Sequence, residues 1–207
     1  MKNYYTIEND VESTITIKKS TFICNLIKIE NADDATLKLK QIKKKYADAT
    51  HNCYGYIANE IATEQRFSDD GEPQGTAGLP ILEVLKKREV FKVLAVVTRY
   101  FGGVKLGASG LVSAYTKSVT EALAKAKIVF NMLSVCLQIE CDYNALSLVQ
   151  NVCLQQKAVI NAIDYSSNIV FTVFVPVQQC ELFKANIIDK TCGKSIIREI
   201  KQIYFQY

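Results

Sequence analysis

The sequence predicts an α+β protein built of two units, and three observations carry that reading. Strand-type and helix-type hydrophobic periods alternate along the whole chain. Glycine is crowded into the first part: Gly55, Gly71, Gly75, Gly78, Gly102, Gly103, Gly107 and Gly110 precede residue 111, and only Gly193 follows it. Charge divides the same way. Up to Phe130 there are 19 Lys/Arg against 15 Asp/Glu, and beyond it six of each, so the net charge of +4 lies entirely in the first part.

In the first part, Ser13–Ile17 and Thr21–Ile29 are rich in β-branched residues and alternate or run apolar, which predicts strands. Asp33 or Asp34 then caps a helix to Tyr46, with Ala35, Leu39, Ile42 and Tyr46 as its buried stripe and Lys38, Lys40, Lys43, Lys44 and Lys45 on a solvated face. Cys53–Ala58 predicts a strand, Leu79–Arg88 a short helix, and Phe91–Thr98 a central strand, apolar on both faces. Leu111, Tyr115, Val119 and Leu123, spaced by four, mark a long helix to about Lys127.

The remainder reads strand (Ser134–Cys141), helix (Tyr143–Gln156), strands (Ala158–Asp164 and Ile169–Val175), helix (Val177–Asp189) and strand (Ser195–Phe205). That βαββαβ order is the ferredoxin-like split motif, and Pro176 suits the start of its second helix. Ile139, Leu146, Val149, Val152, Ile169, Phe171, Val173, Ile197 and Ile200 are its expected core. Asn131–Leu133 is expected to be a short connection, giving domains 1–131 and 132–207.

The 207 residues, 49% hydrophobic and 22% charged, exclude the disordered and fibrous classes. The longest aliphatic run, Val93–Val97, is far short of the ~20 residues that span a bilayer. The start, MKNYYTIEND, lacks a signal peptide's apolar core. A soluble, cytoplasmic protein with no membrane partner is expected. The seven cysteines form no CxxC pair, so they are expected to be reduced and mostly buried, with no metal site.

The informative stretch runs from Asp69 to Lys117, where DDGEPQGTAGLP and TRYFGGVKLGASGLVSAYTK pack seven glycines and two prolines around one buried strand and two helix starts. Gly102, Gly103, Gly107 and Gly110 leave backbone open to close approach, and Ala108–Gly110 would present the amides and positive end of the long helix. Lys105 and Arg99 would neutralise a phosphate or carboxylate there, and Tyr100 and Phe101 would stack on a base. The same glycines are equally what a tight turn and a helix entry require without any ligand.

THNCYGY, SDDGEPQGTAG and TRYFGGVKLGASGLVSAY together resemble the signature of the IMPACT family in its bacterial YigZ-like form. The resemblance spans essentially the whole chain. It implies an N-terminal domain like the second domain of a small-subunit ribosomal protein and a C-terminal ferredoxin-like domain like the last domain of elongation factor G. It also implies a cleft lined by His51, Asn52, Tyr54, Asp69, Asp70, Gly71, Glu72, Pro73, Gly75, Thr76, Gly78, Arg99, Tyr100, Gly102, Gly103, Lys105, Gly107 and Gly110. Where the family reads GGLVRAY, this chain carries Ser109 and Ser113, so one cation beside the loop is missing. Eukaryotic relatives bear an additional N-terminal partner-binding domain and restrain a translation-control kinase through its activator. This chain starts at the signature domain, so that role is not expected to transfer directly.

His51, the single histidine, would act as a general base or join carboxylates on a metal if Asp69, Asp70 and Glu72 converge on it; otherwise it braces the DDGEP turn. The carboxylates would equally well cap and shape that loop. Cys53 shares the strand face of His51 and reads as a buried small residue rather than a nucleophile. Three functions follow. The first is a translation-linked binding protein whose cleft recognises RNA, the ribosome or another translation component, with the second domain as a further contact surface. The second is an enzyme acting on a small phosphorylated or peptide-like substrate through His51 and Asp69, Asp70 and Glu72. The third is a protein-interaction regulator in stress signalling. No cofactor motif accompanies any of them, and the oligomeric state is not legible.

Overall fold

The computed structural model describes residues 3–207; the first two residues, which open the N-terminal segment and the expected 1–131 domain, lie outside the described residues. The chain divides into two compact units, one up to Phe130 and one from Asn131 to Tyr207.

The first unit contains β1 (Tyr4–Ile7), β2 (Val11–Ile17), β3 (Ser20–Lys28), α1 (Ala32–Lys45), β4 (His51–Ile57), β5 (Gln65–Ser68), α2 (Gly78–Lys87), β6 (Val93–Tyr100) and α3 (Ala108–Lys125). Strands β2-β3-β6-β4-β5 form one antiparallel sheet. The central position of β6, between β3 and β4, explains its apolar residues on both faces. Along β4 the residues alternate between those faces. Tyr54 and Tyr56 point toward α1, in a cluster with Leu94, Val96, Ala35, Leu39 and Ile42, whereas α2 packs on β4, and α3 on β2 and β3, with Tyr115 edge-on to Phe22.

Helix α1 starts on Asn31, not on Asp33 or Asp34. The Asn31 side chain accepts from the Asp34 amide, and Asp34 turns its carboxylate back to the Glu30 amide. The strands β1 and β5 were not expected; each has only four residues, too short for a hydrophobic period to register. β1 lies along the start of the strand that follows α3, with Tyr5 and Phe130 ring centroids 4.9 Å apart.

That strand, β7 (Ile128–Cys141), is continuous through Asn131–Leu133, so the expected connection is strand interior. The second unit adds α4 (Leu146–Gln155), β8 (Val159–Tyr165), β9 (Ile169–Pro176), α5 (Cys180–Lys190) and β10 (Ile196–Gln206). Its sheet order, β10-β7-β9-β8, is antiparallel throughout, as the split βαββαβ order requires. Val135, Leu137, Ile139, Val149, Val152, Phe171, Val173, Phe183 and Ile187 fill the space beneath α4 and α5.

Pro176 ends β9 opposite Ser134 and also caps a short 3-10 turn, Val177–Gln179, that leads directly into α5, so it stands at the start of the second helical segment as expected. One expectation fails here. Ile200 is half exposed, because a bulge between Glu199 and Lys201 shifts the register and turns it out of the core. All seven cysteines are free; six are buried and Cys192 is exposed. Among the described residues no helix is long and apolar enough to cross a membrane.

Candidate functional site

Three segments meet in the first unit: the start of β4, the turn from Asp69 to Pro73 that follows β5, and the loop joining β6 to α3. They enclose a cleft of about 410 Å³ lined by Thr50, His51, Glu72, Pro73, Arg99, Phe101, Lys105, Leu106, Gly107, Ala108 and Leu111. His51 and Arg99 are brought side by side because β4 and β6 pair at these positions.

Glu72 forms the floor. Its side chain is 3% exposed, and its Oε1 accepts from Arg99 Nη1 at 2.6 Å and from the Tyr115 hydroxyl at 2.7 Å. Arg99 lies between the rings of Phe22 and Phe101, each 5.5 Å from its guanidinium carbon. Tyr115 in turn receives a hydrogen bond from the Cys53 thiol at 3.3 Å. Burial, with Cys53 and Glu72 beside it, pushes the Tyr115 hydroxyl far above its ordinary value. Burial likewise drives the Cys53 thiol up to about 12, against the lowering effect of Tyr115. Cys53 is therefore an inert thiol, as the sequence suggested.

The turn carboxylates are consumed by structure. Asp69 accepts from the amides of Gly75, Ala77 and Gly78 at 2.8, 3.0 and 2.8 Å, which satisfies donors at the start of α2. Asp70 binds Lys43 Nζ at 2.6 Å and the Asn52 amide at 2.7 Å. Burial alone would raise its carboxyl, but Lys43 and the Asn52 amide outweigh burial and hold it below the ordinary value of 3.8. Neither aspartate has the freedom an acid/base group needs, so the expected three-carboxylate set reduces to Glu72.

His51 Nδ1 lies 2.8 Å from the Asp70 carbonyl oxygen, which can only accept. The neutral ring therefore carries its proton on Nδ1, and its bare Nε2 lies 3.9 Å from Glu72 Oε2. Two such atoms are short of the ligand set a metal ion requires. In the second unit, Cys180, Glu181 and Glu199 converge, but Lys184 already bridges the two carboxylates.

The cleft's other wall is the glycine loop. Gly107 precedes α3 with φ of 77° and ψ of 167°, a conformation open essentially to glycine alone. Among the described residues no side chain caps α3, and no acidic residue occupies its first turn. Lys105 sits on this wall with no ion-pair partner among the described residues. Gly102 is required for a different reason: a Cβ there would come within 2.0 Å of the Lys19 backbone.

Of the residues implied by resemblance, His51, Glu72, Pro73, Arg99, Lys105 and Gly107 line the cleft. The others brace it or face elsewhere. Asn52 bonds Thr98 and the Tyr46 carbonyl, and Tyr54 stacks on Tyr56 on the α1 face. Thr76 bonds the Pro73 carbonyl, Gly71 lies under the His51 ring, and Gly110 abuts Leu106. Gly75 and Gly78 belong to the Asp69 cap. Gly103 takes a positive φ in the loop.

Two roles differ from expectation. Tyr100 bonds Asp48 and does not join Phe101 in the cleft. The Arg99 charge is already matched by Glu72 and is not available to neutralise a ligand. Tyr115, whose spacing marks α3, also belongs to the site; the signal for this is a buried phenol, whose hydroxyl must find a partner.

Fold and site together define a two-unit α+β protein whose first unit carries a glycine-loop cleft. Residues 18–123 match the Impact N-terminal domain, and residues 139–194 match a domain of unknown function, DUF1949. The chain is 40% identical to the IMPACT family member YvyE of Bacillus subtilis, across all of this chain and 95% of that one. It is 32% identical to the IMPACT family member YigZ of Escherichia coli, over 90% and 92% of the two chains. A solved structure described as a hypothetical protein superposes with a TM-score of 0.63 at 30% identity, covering 97% of this chain and 98% of that one. The chain belongs to the IMPACT family. Eukaryotic relatives match only in part: Protein IMPACT-B of Xenopus tropicalis is 37% identical over 45% of this chain and 31% of its own length.

Proposed function

We propose that this is a cytoplasmic, translation-linked binding protein whose glycine-loop cleft recognises single-stranded RNA, free or on the ribosome. The observation that carries this reading is the pairing of Lys105 with the uncapped, acid-free start of α3 on one wall of the cleft. Amides and a free cation converging there suit a phosphate. Phe101, 48% exposed on the same cleft, offers a base a stacking surface. The net positive charge of the first part adds sequence-independent attraction. The reading includes a first domain, 1–131, like the second domain of a small-subunit ribosomal protein. It also includes a second domain, 132–207, like the last domain of elongation factor G and serving as a further contact surface.

Anisotropy of a labelled single-stranded RNA, titrated at low and moderate salt, tests this. Binding should weaken with salt, and Lys105→Ala should weaken it further and flatten the salt dependence by about one phosphate contact. Absence of binding at low salt contradicts the reading.

A second reading, an enzyme acting on a small phosphorylated or peptide-like substrate, has one observation in its favour: the fixed tautomer that leaves His51 Nε2 bare on the cleft. Activity on such a substrate that survives His51→Ala would remove it.

A further inference from the structure

We propose that the cleft floor selects guanine among the bases, a specificity that rests on the RNA reading above. Glu72 Oε1 is fully engaged by Arg99 and Tyr115, whereas among the described residues its Oε2 meets only His51 Nε2, at 3.9 Å. Both atoms belong to residues lining the cleft, and the Glu72 side chain is almost wholly buried. The Asp70 carbonyl accepts from the Nδ1–H of His51, so in the neutral ring Nε2 is an acceptor. The floor thus presents a pair of neighbouring acceptors, Glu72 Oε2 and His51 Nε2, the carboxylate being ion-paired with Arg99 through its other oxygen.

Base edges answer this pair differently. Guanine presents two adjacent donors on its Watson–Crick edge, the ring N1–H and the 2-amino group. Adenine and cytosine place a ring-nitrogen lone pair beside their amino group, which the carboxylate oxygen repels. Uracil flanks its single N–H with two carbonyls. This pair of acceptors leaves unpaired polar atoms against every base but guanine, and recognition of a splayed base by its Watson–Crick edge is the common route to sequence-specific RNA binding. Phe101 would carry the base and Lys105 the adjoining phosphate.

The test is a set of labelled oligouridines that differ at one central position, carrying G, A, C, U or inosine, titrated at low salt against the whole protein. Inosine keeps N1–H and O6 and lacks only the 2-amino group. Guanine should bind about tenfold or more tightly than A, C or U, and inosine should lose much of that gain. His51→Ala should shrink the guanine-to-uracil ratio; this variant gives up one hydrogen bond, to the Asp70 carbonyl, whereas changing Glu72 would strand Arg99. Equal, salt-dependent affinity for all five oligonucleotides overturns the guanine inference and leaves the RNA reading standing. Preference for another base, or inosine equal to guanine, also overturns it. No binding to any of them overturns both.

Discussion

Glu72 Oε1 and Arg99 Nη1 lie 2.6 Å apart, with side chains only 3% and 6% exposed. This pair makes Arg99 a structural cation, so Arg99→Ala strands a buried carboxylate and should cost about 3–5 kcal/mol of stability. Tyr115→Phe removes the other donor to the same oxygen and should cost about 1–3 kcal/mol. Urea unfolding of both variants checks this. An Arg99→Ala protein as stable as the parent would show that the charge is not needed in the core.

Asp69 serves three amides at the entry to α2. Asp69→Ala should therefore destabilise the protein by about 2 kcal/mol, at the upper end of the range for a lost helix cap. Hydrogen exchange should report the loss as faster exchange at Gly75, Ala77 and Gly78. Unchanged protection at those amides would rule out the capping role.

Asp70 supplies a pH dependence whose sign follows from its carboxyl being held below 3.8 by Lys43 and the Asn52 amide. A carboxyl depressed in the folded state adds stability above its unfolded value, and that stability is lost as pH falls through the folded value. Melting temperatures measured from about pH 5 downward should fall less steeply for Asp70→Asn than for the parent. Parallel curves would mean that Asp70 titrates alike in both states.

The two loop glycines should fail differently. At Gly102 a Cβ would overlap the Lys19 backbone at 2.0 Å, so Gly102→Ala must displace the β2–β3 hairpin and should yield unfolded or insoluble protein. At Gly107 a Cβ meets nothing within 4 Å, and the cost is backbone strain alone, about 1–3 kcal/mol. Gly107→Ala should remain folded, as judged by circular dichroism, and lose RNA affinity through displacement of the α3 amides.

Thiol titration of the native protein should find one fast cysteine, Cys192, because the other six are buried and the Cys53 thiol is raised to about 12. A second fast thiol in the folded protein would contradict the placement of those six.

Long periodic elements were legible in the sequence because burial imposes their spacing. The stripe Leu111, Tyr115, Val119 and Leu123 marks the buried face of α3, and the apolar run of β6 marks a strand with neighbours on both sides. The four-residue β1 and β5 carry too little periodicity to register. At the cleft, the sequence indicated which residues are special but not which are spent. The partners of the Asp69 and Asp70 carboxylates and of the Arg99 guanidinium lie 6 to 79 positions away along the chain, so their engagement appears only once β4, β6 and the Asp69–Pro73 turn are packed together. Ile200 fits the apolar pattern of β10, and only the bulge reveals that it faces out.

Whether RNA enters the glycine-loop cleft can be read from backbone amide shifts in the nitrogen-15-labelled protein as an unlabelled guanine-bearing oligouridine is added. Shifts should concentrate at His51, Phe101, Lys105, Ala108 and Ser109 and diminish in Lys105→Ala. Shifts confined to the second unit, or none at concentrations that saturate anisotropy, would place the RNA elsewhere and contradict its entry into the cleft.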